Sequence, residues 1–147
     1  MRRLDAIAVA LAAVMAPPWP SAEAADWDHD ANIDAAVLAV VATYRQGGMA
    51  GLEPLVEDCY LLVDAGDAPD ERLRQFEYCA GMDLAAVRLH RREAPATTPA
   101  PGGYFGIDSF VGRVGRLSTF LDDPNVGNQV IRAWSQAADE ALARHGD

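Results

Sequence analysis

The sequence predicts an all-α protein, a small four- to five-helix bundle with one disulfide between helices 2 and 3. Apolar residues recur three and four positions apart in five segments, as in helices that bury one face. No segment alternates apolar and polar residues as a strand would. The second and third segments each contain one of the two cysteines, Cys59 and Cys79.

The first two helices are predicted at about 31–46 and 49–63, and Gly47 and Gly48 end the first of them. Their apolar faces have helical spacing and comprise Ile33, Val37, Val40, Val41 and Tyr44, then Leu52, Leu55, Val56, Cys59, Leu62 and Val63. Cys59 is therefore expected to point into the core.

A turn at 64–67 leads into a third helix that runs to about Arg92, with Asp67 as its predicted cap. Its apolar face comprises Leu73, Phe76, Ala80, Leu84 and Val87. At about 1.5 Å per residue, Cys59 lies roughly 6 Å and Cys79 roughly 15 Å from the turn. A strictly antiparallel hairpin would not align the cysteines, so the connection must be extended or the helices must cross at an angle.

Residues 94–103 contain three prolines and no large apolar side chain, which predicts a linker or an exposed loop. A fourth helix is predicted at about 105–121, although Gly106, Gly112 and Gly115 weaken it. We expect these glycines to allow close packing against a neighbouring helix, rather than to leave room for a ligand.

A fifth helix is predicted to start where Pro124 follows Asp123. Its apolar face comprises Val130, Ile131, Trp134, Ala138, Ala141 and Leu142. Residues 31–93 are expected to form one antiparallel set, against which residues 104–145 pack.

The first 24 residues have the layout of a secretory signal peptide, with Arg2 and Arg3, an apolar run at 6–16 and small residues before position 25. The apolar run is shorter than the roughly 20 residues that a membrane-spanning helix needs, so we expect no stable membrane anchor after cleavage. The mature protein is then a single helical domain at 25–147. Because the chain has no lysine and is rich in alanine, a Gram-negative bacterium is the expected source, and the periplasm or secretion the expected destination.

The charge of the chain disfavours two classes of partner. There are 22 acidic and 12 basic residues, a formal net charge of −10. Binding to nucleic acid requires clustered basic residues that neutralise phosphates, and anionic lipid surfaces attract the same residues. We therefore predict no nucleic-acid partner and no binding to anionic lipid surfaces.

Cys59 and Cys79 are the only cysteines, and an even number in an exported chain predicts one disulfide. Their separation of 20 positions excludes the Cys-x-x-Cys spacing of redox motifs. Two cysteines also supply too few ligands for a typical zinc site. The predicted role of this disulfide is structural.

Asp26, Asp28, His29 and Asp30 are possible ligands for a divalent cation, but a solvated acidic leader is the favoured interpretation. No serine lies in a Gly-x-Ser-x-Gly turn, and no other catalytic motif is present. The sequence therefore predicts no metal, no cofactor and no catalytic residue, and so no enzyme.

Asp83 interrupts the apolar side of the third helix and is expected to be buried in an ion pair with Arg88, Arg113 or Arg116. Such a pair is more often architectural than functional.

Tyr104 and Phe105 directly follow the Pro/Gly-rich segment and are possible partner-binding residues, with core covering as the alternative. The leading functional hypothesis is a periplasmic protein-interaction module of the inhibitor, immunity, adaptor or chaperone type. The alternative is a periplasmic protein that binds a metal or small ligand, either at the acidic N-terminus or in a cavity between helices.

Overall fold

The predicted all-α fold is confirmed by a computed structural model, which describes residues 27–94, 102–120 and 124–146 and contains no strand in those ranges. The proposed leader and most of the Pro/Gly-rich loop lie outside the described residues. Five α-helices occur in the described ranges: α1 (His29–Gly47), α2 (Leu52–Ala65), α3 (Pro69–Glu93), α4 (Ile107–Val114) and α5 (Pro124–His145). Two 3-10 helices, Gly48–Gly51 and Gly115–Thr119, precede α2 and follow α4.

Local chemistry accounts for the ends of α1 and the start of α3. The Asp28 carboxylate accepts a hydrogen bond from the backbone N–H of Ala31 at 3.0 Å and so caps α1. Gly48 ends α1 with a φ of 63°, which glycine adopts without steric cost. The prediction that Asp67 caps α3 is wrong, because Ala68 occupies the cap position and Pro69, whose φ is already helical, starts the helix.

Helix α3 is central, since it packs against each of the other four α-helices. The Phe76 ring, which is fully buried, lies at the meeting point of several elements. Its centroid is 5.7 Å from that of Tyr60, 5.5 Å from that of Phe120 and 6.2 Å from that of Trp134. One aromatic side chain of α3 therefore links α2, α5 and the segment after α4.

The disulfide between Cys59 and Cys79 is confirmed, with the two Cα atoms 5.6 Å apart. It joins α2 to α3, as expected. Gly66 and Ala68 in the connection both have extended backbone, with ψ angles of 139° and 142°. An extended connection was one of the two arrangements that the unequal cysteine positions allowed. In the chain-entropy description, closing a loop of this size stabilises the fold by roughly 3 kcal/mol.

Glycine contributes to close packing at Gly81 of α3, but not at Gly112 and Gly115 of the fourth helix. A Cβ atom at Gly81 would lie 2.9 Å from Ile33 Cδ1 and 3.2 Å from Ala36 Cβ, so its absence lets α1 approach α3. At Gly112 and Gly115 an added Cβ would meet nothing within 4 Å, so the prediction of close packing there is wrong. At Gly106, the third glycine of that prediction, an added Cβ would lie 3.1 Å from the Gly102 backbone, which belongs to the preceding loop and not to a neighbouring helix.

The fourth helix is also shorter than predicted. It ends at Val114, and a 3-10 helix continues the chain to Thr119. Glycine is a poor helix former, and Gly112 and Gly115 fall in the last turn of α4 and just beyond it. Leu117 is still buried, so the change of helix type keeps its side chain in the core. Within the described ranges, no helix combines the length and apolarity required to cross a membrane.

Candidate functional site

Two fully buried carboxylates on α3, Glu77 and Asp83, are the charged side chains at the centre of the described structure. Burial of a carboxylate is costly unless hydrogen bonds or an opposite charge compensate. The two residues solve this problem differently. Glu77 is hydrogen-bonded from the N-terminal segment, α1 and α5, whereas Asp83 is bonded from α2 and α4.

Four side chains hydrogen-bond the Glu77 carboxylate, and we call this group the Glu77 cluster. The indole N–H groups of Trp27 and Trp134 donate at 2.8 and 2.9 Å, and the Asn32 amide donates at 2.9 Å. The Nδ1 atom of His29 contacts the second carboxylate oxygen. An ionised carboxylate only accepts hydrogen bonds, so four partners satisfy most of its capacity. The cluster connects the start of the described chain to α3 and α5.

Sequence reasoning missed the Glu77 cluster, although a signal was present. Glu77 is four residues after Leu73 and three before Ala80, so it shares the predicted core face of the third helix. An acidic residue at such a position implies buried donors. Those donors come from distant segments, and their convergence could not be read from local spacing.

Two of the four residues considered as metal ligands near the N-terminus, Asp28 and His29, have other contacts. Asp28 caps α1 and His29 bonds Glu77, while Asp30 is exposed in the first turn of α1 and Asp26 lies outside the described residues. Among the described residues, no three His, Cys, Asp or Glu side chains are grouped so that they could hold a metal ion.

Asp83 is paired with Arg113, one of the three arginines that the sequence analysis named. The guanidinium donates from Nε and from a terminal nitrogen to the two carboxylate oxygens, each at 2.7 Å. The Tyr60 hydroxyl donates a longer bond of 3.3 Å. Burial raises the pKa of Asp83 above its ordinary value, and the bonds from Arg113 oppose that shift. Burial, aided by the charge of Asp83, also raises the pKa of Tyr60 well above its ordinary value.

The other two arginines named as partners of Asp83 bind elsewhere. Arg88 donates to Asp139 and Ser135 of α5, both at 2.8 Å. Arg116 donates to Asp64 of α2 at 2.7 Å. Like the Asp83 pair, each of these contacts joins two different helical elements.

A surface cleft of about 260 Å³ lies between α2 and the segment that contains α4, and the two residues that bond Asp83 help to line it. We call it the α2–α4 cleft, and its lining residues are Glu57, Tyr60, Leu61, Tyr104, Arg113 and Arg116. The Arg113 guanidinium carbon lies 4.0 Å from the centroid of the Tyr104 ring, in a cation–π contact. Asp83 therefore fixes an arginine that in turn positions an aromatic wall of the cleft.

The α2 side of this cleft is acidic. Glu53, Glu57, Leu61 and Asp64 follow one another at helical spacing and so share one face of α2. Glu53 and Glu57 are exposed, and neither forms an ion pair with another described residue. Asp64, by contrast, is paired with Arg116.

The acidic residues of this face influence the pKa of Tyr104. Partial burial is the largest influence on Tyr104 and raises its pKa. Nearby negative charges, including Glu57 and Glu53, act in the same direction, whereas Arg113 opposes them. The Tyr104 ring therefore lies within the electrostatic influence of the acidic face of α2.

The structure places the two possible partner-binding residues in different environments. Phe105 is 6% exposed and belongs to the core, with its ring centroid 5.0 Å from that of Tyr104. Tyr104 is half-buried and lines the α2–α4 cleft. Partner binding therefore stays a prediction for Tyr104, whereas Phe105 has little surface to offer.

Large apolar side chains are exposed on three helices. Leu61 is 65% exposed at the cleft, and Leu62, Ile107, Val111 and Leu38 are each about half exposed or more. Of these five residues, Leu61 is the one that lines the α2–α4 cleft.

Comparison of the chain with protein-family models, with curated proteins and with solved structures found no match.

Proposed function

We propose that this chain is an exported protein-interaction domain without catalytic activity, of the inhibitor, immunity, adaptor or chaperone type, and that the α2–α4 cleft is its partner surface. The observation that carries the proposal is an exposed leucine, Leu61, beside a positioned aromatic ring, Tyr104, in a surface cleft. Protein interfaces use such anchors, with aromatic residues at their energetic centre.

The size of the cleft favours a protein partner over a small ligand. Its volume of about 260 Å³ is below the roughly 300–1,000 Å³ of pockets that enclose small molecules. A cleft of this size suits one side chain of a partner whose remaining contacts lie around the rim. A carrier for a small ligand would need a larger or more enclosed space.

The rigidity of the Tyr104 wall also supports the proposal. Two hydrogen bonds join Arg113 to a fully buried carboxylate, and the same guanidinium stacks on Tyr104. An aromatic side chain that is already positioned loses little conformational entropy on binding. The fold therefore prepares this ring for contact.

Export is supported by two separate features. The first 24 residues have the composition of a leader, and the Cys59–Cys79 bond is of the kind that persists in oxidising compartments. A periplasmic or secreted partner follows from this proposal. Mass spectrometry of the protein recovered outside the cytoplasm tests it, with an N-terminus at Ala25 as the expected result.

The partner surface is tested with a matched pair of leucine substitutions in the oxidised protein. Leu61→Ser changes the cleft, whereas Leu38→Ser changes an exposed leucine on α1. Exposed substitutions of this kind alter the free energy of unfolding by only about 0.5 kcal/mol. Wild type and each variant are used to capture binding proteins from an extracytoplasmic extract of the host, and the amount of each captured protein is compared.

The expected result is one protein that wild type and Leu38→Ser retain equally, and that Leu61→Ser and Tyr104→Ala retain at least about tenfold less. Equal retention by all four proteins would show that the cleft is not the partner surface. Equal loss in both leucine variants would indicate general adhesion to apolar side chains.

A further inference from the structure

We infer that the α2–α4 cleft receives a cationic side chain, arginine or lysine, from a basic surface of the partner. The inference rests on the proposed function and adds the chemistry of the contact. The inference rests on one difference. The basic groups that border the cleft are bonded within the protein, whereas Glu57 is not ion-paired with a described residue.

Both arginines of the cleft are already engaged within the protein. Arg113 forms two hydrogen bonds with Asp83 and stacks on Tyr104. Arg116 donates to Asp64 at 2.7 Å. An anionic partner group would have to compete with these bonds, so the two guanidinium groups do not favour an anion.

Glu57 and Glu53, unlike Asp64, are not engaged in this way by the described residues. Glu57 lines the cleft, and neither it nor Glu53, which lies one turn away on the same face, is ion-paired with a described residue. A cationic group that entered beside Glu57 would gain a charge-assisted contact without breaking an existing bond. The local charge therefore favours a cation.

The walls of the cleft suit the remainder of a long basic side chain. Leu61 and the rings of Tyr60 and Tyr104 offer apolar surface next to the Glu57 carboxylate. Lysine and arginine place their methylene groups along apolar surface and keep the charged end in a polar setting. The residues that line the cleft thus provide apolar surface for the methylene groups and a carboxylate for the charged end.

The wider surface has the same sign of charge. Residues 52–71 include no basic residue, and their seven acidic residues are all exposed: Glu53, Glu57, Asp58, Asp64, Asp67, Asp70 and Glu71. Charge of one sign accelerates the approach of an oppositely charged protein. It also disfavours a second copy of this chain on the same face, because the two acidic surfaces would repel each other.

Titration with single-residue probes, followed by amide NMR shifts of the oxidised protein, tests the inference. The probes are the N-acetyl, N-methylamide derivatives of arginine, lysine, citrulline and norleucine. Citrulline has nearly the shape of arginine without its charge, and norleucine has the methylene groups alone. We expect arginine or lysine to shift the amides of Glu57, Leu61 and Tyr104, and to bind about fivefold more tightly than either neutral probe.

A pair of acidic-residue variants provides the control. Glu57→Gln should weaken binding of the cationic probe about fivefold, whereas Glu71→Gln, which changes an exposed acid that does not line the cleft, should alter it less than about twofold. Equal binding of citrulline and arginine would overturn the inference, as would the absence of shifts at the cleft.

The probe titration and the leucine test fail independently. If norleucine binds as tightly as arginine while Leu61→Ser still loses the partner, the cleft is a partner surface for an apolar side chain. If the cationic probes bind but Leu61→Ser retains the partner fully, the proposed function is wrong and the preference for cations stands.

Discussion

Glu77 and Asp83 are buried to the same extent on one helix, but their partners give them different consequences. Glu77 is bonded by two indoles, an amide and an imidazole, of which the Trp134 indole is part of the core and the other three are half-buried. Asp83 is bonded by Arg113, whose guanidinium also reaches the lining of the α2–α4 cleft. The connections of a buried charge, more than its burial, therefore indicate whether it serves the fold alone or also a surface.

Removal of the carboxylate should have different energetic effects at the two sites. Removal of Glu77 would take the carboxylate from the buried indole N–H of Trp134 and from three half-buried side chains, and each unsatisfied buried group costs about 1–3 kcal/mol. Removal of Asp83 would release an arginine that is partly exposed and can turn toward water. The first change should therefore act mainly on stability, and the second mainly on the arrangement of the cleft.

The largest expected effect is that of Glu77→Gln. The amide NH₂ group replaces an acceptor oxygen and faces groups that are themselves donors, so the variant should lose about 3 kcal/mol in free energy of unfolding. Denaturant unfolding of the oxidised protein measures this loss, with Glu71→Gln as an exposed control that changes little. Where Glu77→Gln is still folded, its retention of the partner should match wild type. A stability equal to that of wild type would remove the structural role assigned to the Glu77 cluster.

Asp83→Asn should show the opposite balance. We expect a loss of about 1.5 kcal/mol in unfolding free energy, because one Arg113 bond then goes to a neutral amide oxygen and the other is lost where the NH₂ group replaces the second oxygen. We also expect at least a fivefold loss of partner retention. The loss of retention follows if Arg113 no longer holds the Tyr104 ring. The partner retention of Asp83→Asn is compared with that of Glu77→Gln, which distinguishes the roles of the two carboxylates. If Glu77→Gln impairs retention more than Asp83→Asn at equal folded fraction, the contrast drawn between them is incorrect.

A smaller effect is expected when one donor of the Glu77 cluster is removed. Trp27→Phe deletes the indole N–H that bonds Glu77 at 2.8 Å but keeps an aromatic ring near His29. The free energy of unfolding should fall by about 1 kcal/mol. Trp134→Phe also removes a donor, and because Trp134 is 2% exposed, the lost volume should make its effect larger. An equal or larger loss for Trp27→Phe would mean that the N-terminal segment contributes more than one hydrogen bond to stability.

The helices and the disulfide followed from the sequence because periodicity and cysteine number are local or countable properties. An ion pair at Asp83 could also be predicted, because a single acid on an apolar helix face needs a basic partner. Which of three arginines is that partner could not be predicted, because the answer depends on how α4 packs against α3. The Glu77 cluster was not predicted, since Trp27, Asn32 and Trp134 are about 50 residues from Glu77 along the chain. The α2–α4 cleft depends in the same way on packing between distant segments.

The smallest predicted effect concerns Asp34, a half-buried counterpart to the two fully buried acids. Arg144 donates to it at 2.7 Å and His145 contacts it at 2.9 Å, so it joins α1 to the end of α5. The hydrogen bond from Arg144 is the main cause that lowers the pKa of Asp34 below its ordinary value of 3.8. A lowered pKa means that the folded state favours the ionised carboxylate. The contribution of Asp34 to stability is therefore present above pH 3.8 and is lost as the pH falls through the lower folded-state value.

Comparison of Asp34→Asn with wild type across the acid range checks this sign. Near neutral pH the variant should be less stable by about 0.5 kcal/mol, as is usual for an ion pair near the surface, and the difference should shrink as the pH falls below 3.8 and through the lower folded-state pKa. Asp58→Asn, at an exposed acid without an ion pair to a described residue, is the matched control variant. A difference that grows on acidification would mean that the Asp34 carboxylate is unfavourable in the folded protein. In that case the contact between α1 and α5 would depend on apolar packing rather than on this ion pair.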